Sequence, residues 1–154
     1  MPDAWSTGDF DQMSWHDCHV HGFRIAELAE EHGTAELELD LDFIVEWRCR
    51  EDRTFEFRIA PATLVFHSVF GLRFELDYVE PTAGMGPFSL DGIEREMISY
   101  SAEHTSYRWR LPINWPTGLI TFESPGFTQR LRGEPLLVQR QSLLPKERGA
   151  KGGG

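Results

Sequence analysis

Glu36-Leu37-Glu38-Leu39-Asp40-Leu41-Asp42-Phe43-Ile44-Val45-Glu46-Trp47 alternates almost without a break. Leu37, Leu39, Leu41, Phe43, Val45 and Trp47 hold one set of positions; Glu36, Glu38, Asp40, Asp42, Ile44 and Glu46 hold the other. Successive side chains of a strand point to opposite faces, so a period of two specifies a β-strand with one buried and one wet face. The carboxylates Glu36, Glu38, Asp40 and Asp42 then form a solvated row. Such a row would also steer a basic partner protein toward this face.

Upstream, His19 to Leu28 alternates as well, with His19, His21, Phe23 and Ile25 on one face. Glu27–Gly33 is too short for an independent helix and reads as a turn. Pairing the two strands so that residue numbers sum to 66 sets Phe23 against Phe43, Ile25 against Leu41 and Arg24 against Asp42. It also sets His21 beside Val45 and His19 beside Trp47. A slip of one residue would face Ile25 with Asp42, which is worse. In this register Cys18 and Cys49 project from opposite faces, so no disulfide is expected.

Downstream, Phe55, Phe57 and Ile59 alternate, Pro61-Ala62 interrupts, and Leu64 and Phe66 resume. Val69-Phe70-Gly71 fits a three-residue hairpin loop closing on a left-handed glycine, with Phe66 opposite Phe74 and Leu64 opposite Leu76. Residues 79–92 read as a long Pro/Gly-rich loop, and a strand follows over about 93–101. Tyr107, Trp109 and Leu111 alternate in another strand, ended by Pro112 and Pro116; Leu119–Glu123 and Leu136–Val138 are further strands. Residues 1–13 look irregular. The expectation is a mainly β chain with little helix: one antiparallel domain over 1–145, strongly bent or two-layered like a sandwich, and a flexible polar, glycine-rich tail over 146–154.

The chain of 154 residues is long enough for a core and carries a net charge of −10, which disfavours nucleic acid as a partner. No stretch reaches membrane-spanning length and no secretory leader is visible, so a cytoplasmic location is the default expectation.

Chemistry-bearing residues gather in Trp15-His16-Asp17-Cys18-His19-Val20-His21. Two histidines at i and i+2 on a strand point the same way and can share an ion. Asp17, His19 and His21 therefore resemble the first-strand D-x-H-x-H motif of amidohydrolases and related phosphoesterases, which implies a small metal-dependent hydrolase. Those enzymes use larger barrels with ligands from later strands, and His32, His67 and His104 show no matching context here. The other reading, which the strand register favours, makes His19 and His21 structural, partly buried and neutral. His16 and Asp17 then fix a turn, or alternatively form a binding or catalytic dyad.

Several blocks, Trp15-His16-Asp17 with Val20-His21, Leu39-Asp40-Leu41-Asp42-Phe43-Ile44 with Glu46-Trp47, Ala62-Thr63-Leu64-Val65-Phe66, and Leu131-Arg132-Gly133-Glu134-Pro135, occur in an order seen elsewhere. The chain resembles small bacterial β-proteins that open with an H-D-x-x-[VI]-H strand, some grouped with immunity proteins of polymorphic toxin systems. That resemblance implies a mainly β domain with a protein-binding role, its specific form being neutralisation of a toxin, and carries no established active site onto any position; no cofactor is expected. A basic toxin would meet Glu36, Glu38, Asp40 and Asp42, with exposed Trp115 as an anchor.

Overall fold

A computed structural model of the chain describes residues 2–79 and 84–149. In chain order the strands are β1 (Ala4–Ser6), β2 (His19–Ala29), β3 (Thr34–Cys49), β4 (Phe55–Asp77), β5 (Phe88–Leu90), β6 (Glu94–Ser101), β7 (His104–Trp115), β8 (Thr117–Ser124), β9 (Gly126–Leu131) and β10 (Leu136–Val138). Two short 3-10 helices, Thr7–Gln12 and Pro145–Arg148, are the helical segments among the described residues. The protein is mainly β, with one antiparallel sheet of 10 strands among the described residues.

The long strand β4 organises the sheet. β3 pairs with one of its edges from Phe55 to Val69. Along the other edge β10, β9 and β8 succeed one another, facing Phe57–Ile59, Ala62–His67 and Phe70–Asp77 in turn. β4 bends between these stretches, where Ser68 and Gly71 have φ of 48° and 64°. Alongside it the chain bends at Pro125, between β8 and β9, where the Ser124 hydroxyl donates to the His67 carbonyl at 2.6 Å. The pairings β4–β3, β3–β2, β2–β5, β5–β7, β7–β8 and β8–β4 make a closed circuit. Inside it lie the buried rows Leu37, Leu39, Leu41 and Phe43 of β3, Leu64 and Phe66 of β4, Trp109 and Leu111 of β7, and Ile120 and Phe122 of β8.

The bend corrects the expected hairpin at Val69-Phe70-Gly71. Phe74 pairs with Ile120 rather than Phe66. A left-handed glycine serves a bulge within a continuing strand as readily as a turn that ends one.

Neither Pro61 nor Pro112 ends its strand, because each sits where no donor is required. A residue's N–H and C=O lie on the same edge of a strand. The Pro61 carbonyl accepts from Arg132 N–H at 2.7 Å, in the gap between β9 and β10. The Pro112 carbonyl accepts from Asp91 N–H at 2.8 Å, in the gap between β5 and β6. Each missing N–H therefore faces a break between two partner strands and costs no ladder bond.

β3 follows its alternation as far as Ile44. There Ile44 pairs with Ile59 and Glu46 with Arg58, leaving Val45 in a bulge. The extra residue inverts the faces beyond it. Val45 is consequently only half-buried, and Trp47 is exposed on the outer side, edge-on to Phe57 at 4.7 Å. Both had been expected in the core.

The β2–β3 register also differs from the expected one. Ala29 pairs with Thr34 across a tight turn closed on Gly33, so Phe23 meets Leu39, Arg24 meets Glu38 and Ile25 meets Leu37. That even shift keeps Phe23 and Ile25 on the core face. A second bulge, between Val20 and Gly22, separates His19 from them and places it opposite Asp42, on the outer face.

Candidate functional site

Four neighbouring strands line up Asp42, His19, Ser89 and Trp115 as successive cross-strand partners. The structure thus brings the sequence-selected His19, Asp42 and Trp115 into one row. His16 and Asp17 form the turn leading into β2, with Asp17 at φ 63°, a left-handed conformation that aspartate tolerates better than most residues. Asp17 N–H donates to the Leu90 carbonyl at 2.8 Å, fixing the turn against β5. Its carboxylate then accepts from Asn114 at 2.7 Å and from Gln141 at 3.0 Å, with His16 Nε2 at 3.4 Å. His16 Nδ1 donates to the Asp91 carbonyl at 2.8 Å, and its ring stacks on Trp47.

Asp42 holds the centre. It is fully buried, which corrects its expected place in a solvated row. Its carboxylate binds His21 Nε2 at 2.8 Å and accepts from Leu143 N–H at 2.9 Å. Arg148 pairs with both Asp42 and Asp40. A buried carboxylate needs such compensation, since an unpaired charge in a dry site costs several kcal/mol. The chain after β10 is thereby fastened over the outer face of β2 and β3. Arg140 reinforces it with two hydrogen bonds to Glu147, whose carboxyl is lowered to about 2 chiefly by that contact. Residues 146–148, assigned to the tail from sequence, belong to this clasp; the terminal glycines lie outside the described residues.

The other carboxylates of the β3 row are also paired within the chain: Glu36 with His67 at 2.9 Å, Glu38 with Arg24 at 2.6 Å, and Asp40 with Arg132 and Arg148. Trp15 points inward. It is buried against Phe127 and donates from Nε1 to Gln129 at 2.8 Å. Cys18 is buried and its thiol is pushed up to about 12 by loss of solvent, so it is a poor nucleophile.

Asp17, His19 and His21 do not converge on a common point. The Asp17 carboxylate turns to Asn114 and Gln141, whereas His21 turns to Asp42. Among the described residues no group of three His, Cys, Asp or Glu side chains is placed to hold a metal ion. Chemically, the arrangement can clasp two chain segments together.

His19 gives the clasp a pH dependence. Burial pushes its pKa below the ordinary 6.5, while the nearby Asp42 carboxylate acts the other way; Nδ1 donates to the Asp17 carbonyl at 3.1 Å. The unfolded chain then takes up the proton more readily than the folded one. His19's contribution is therefore fully present above about pH 6.5 and is lost as pH falls through the window below it. Melting temperatures measured from pH 7.5 to 5.5 should fall less steeply for His19→Gln than for the unmodified protein. Parallel curves would show that the folded state does not resist protonation of His19.

Asn114, Gln141, Leu143 and Arg148 complete this network and escape sequence reading. They lie about 70 to 130 residues from Asp17 and Asp42 along the chain, and no periodicity marks them. Only the odd acidic phase of β3, with Asp42 adjoining apolar Phe43 and Ile44, hints that one carboxylate lies in a dry setting. In comparisons with protein-family models, curated proteins and solved structures, the chain matches none.

Proposed function

We propose that the chain is a protein-binding module, its specific form being the neutralisation of a basic toxin, and that its contact surface is the uncovered end of β2. The observation that carries this reading is the exposure of Phe23 (49%), Ile25 (61%) and Leu28 (64%). Phe23 and Ile25 pair with Leu39 and Leu37, which are buried, so the core face runs out to solvent here. Contiguous apolar surface of this kind commonly marks an interaction site. Phe74 supports it from the far side, its ring 4.3 Å from that of Phe23.

The charge suited to a basic partner also lies here. Glu27, Glu30 and Glu31 cluster at the Leu28 end of this strip and make no ion pair among the described residues, whereas the Glu36–Asp42 row is already engaged. Free carboxylates raise the association rate for a basic protein and make it sensitive to salt.

The test takes a partner captured by the intact protein and compares its affinity for a Phe23→Ser/Ile25→Ser variant. These side chains are exposed, so the variant should fold. Loss of about thirtyfold or more in affinity is expected if the two residues are binding hot spots. A partner held equally well by both proteins would place the interface elsewhere.

A further inference from the structure

β2 has one free edge. β5 pairs with it only at His19 and Val20, and beyond that no strand adjoins it among the described residues, although β3 continues along the other edge to Ala29. Backbone donors and acceptors on an open edge are a template for another strand. Exposed edges elsewhere in the sheet lack the same surroundings. On β6, Glu94 stands opposite Arg110 and Glu96 opposite Arg108, a mixed-charge edge. β1 is only three residues long.

At β2 three features coincide. The regular run from Gly22 to Ala26 leaves room for a short added strand, ended by the irregularity at Glu27, where φ is 50°. Inward side chains of that strand would extend the surface made by Phe23, Ile25 and Phe74. Glu27, Glu30 and Glu31 stand at the end of the run, ready for cations.

We infer that β2 receives an extended segment of a basic partner as an added strand, apolar residues alternating with lysine or arginine. This rests on the proposed binding role and names its mode. Main-chain hydrogen bonds to β2 supply affinity, alternate apolar side chains dock beside Phe23 and Ile25, and the basic ones meet the glutamates. An occupant of this pattern fits because the edge is apolar on the core side and acidic at its end.

The probe is a hexapeptide of alternating lysine and valine, capped at both ends and fluorescently labelled. Two analogues carry backbone N-methyl groups, one at every lysine nitrogen and one at every valine nitrogen. An added strand directs only one of these two sets of N–H groups at β2. One analogue should therefore bind about tenfold or more weakly, the other should retain binding, and amide exchange across residues 22–26 should slow on binding. Glu27→Gln/Glu30→Gln/Glu31→Gln should weaken the parent peptide and flatten its salt dependence. Equal binding by both analogues, no binding by the parent peptide, or binding without protection of β2 would each overturn strand addition. If the peptide fails while the captured partner still depends on Phe23 and Ile25, the binding surface stands and only the mode falls. If that dependence is also missing, both fall.

Discussion

Replacing Asp42 by alanine is expected to destabilise the protein by about 3–5 kcal/mol. The carboxylate is fully buried and is shared by His21 of β2, the Leu143 backbone and Arg148. Its removal leaves the largely buried Arg148 guanidinium with Asp40 alone, and the Leu143 N–H without its acceptor. Urea unfolding would measure the loss. A loss under about 1 kcal/mol would mean that the segment after β10 is not fastened through Asp42. The companion variant Asp42→Leu/Arg148→Met removes both charges together. It should recover much of the stability, because most of the single-variant loss is the cost of stranding a buried charge rather than the net value of the pair. Proteolysis supplies a local readout: Asp42→Ala should open the chain beyond Val138 to cleavage before the rest of the sheet.

This carboxylate also shows where sequence reading stops. From Glu36 to Phe43 the alternation names the strand and its buried face, because a period of two records what each side chain meets above and below the sheet. It cannot say whether the outer face meets water. That depends on Leu143 and Arg148, about a hundred residues later, folding back over Asp42. The histidines share this limit. His19 and His21 stand out by residue type, but the bulge between Val20 and Gly22 decides which way they face, and only the partner strand reveals it.

Bends and prolines were illegible for a related reason. Gly71 signals a left-handed conformation in the sequence, yet hairpin and bend both satisfy it. The choice lies with the companion strands β8 and β9, which bend alongside β4. Pro61 and Pro112 look like strand ends because a central strand needs its N–H groups. Each is tolerated because two separate strands share the edge it faces, an arrangement visible only in the assembled sheet. Phe23 and Ile25 lie on the face of buried Leu39 and Leu37, yet both are exposed. How far the rest of the sheet covers them is a matter of layer extent, which no local pattern encodes.

Trp109→Ala should cost about 3–5 kcal/mol, the other large effect expected. Trp109 is fully buried in the core inside the closed circuit of strands. Its ring lies 5.0 Å from Phe66 of β4, 5.9 Å from Phe127 of β9 and 5.6 Å from Phe10 of the first 3-10 helix. Truncation therefore opens a cavity walled by three elements at once, and strands paired so extensively have little freedom to collapse into it. The indole N–H adds a polar role, donating to the Ser124 carbonyl at 2.9 Å beside the bend between β8 and β9. Trp109→Phe separates the two contributions. It keeps an aromatic ring but loses the donor, and should cost less than the alanine variant, by the difference between partial refilling and a full cavity. Comparing both variants by urea unfolding, with the denaturant slope unchanged, would test this. If Trp109→Phe were as damaging as Trp109→Ala, the bond to Ser124 would outweigh the packing, and the bend would depend chiefly on that bond. A loss below about 1 kcal/mol for Trp109→Ala would contradict the placement of Trp109 inside the circuit of strands.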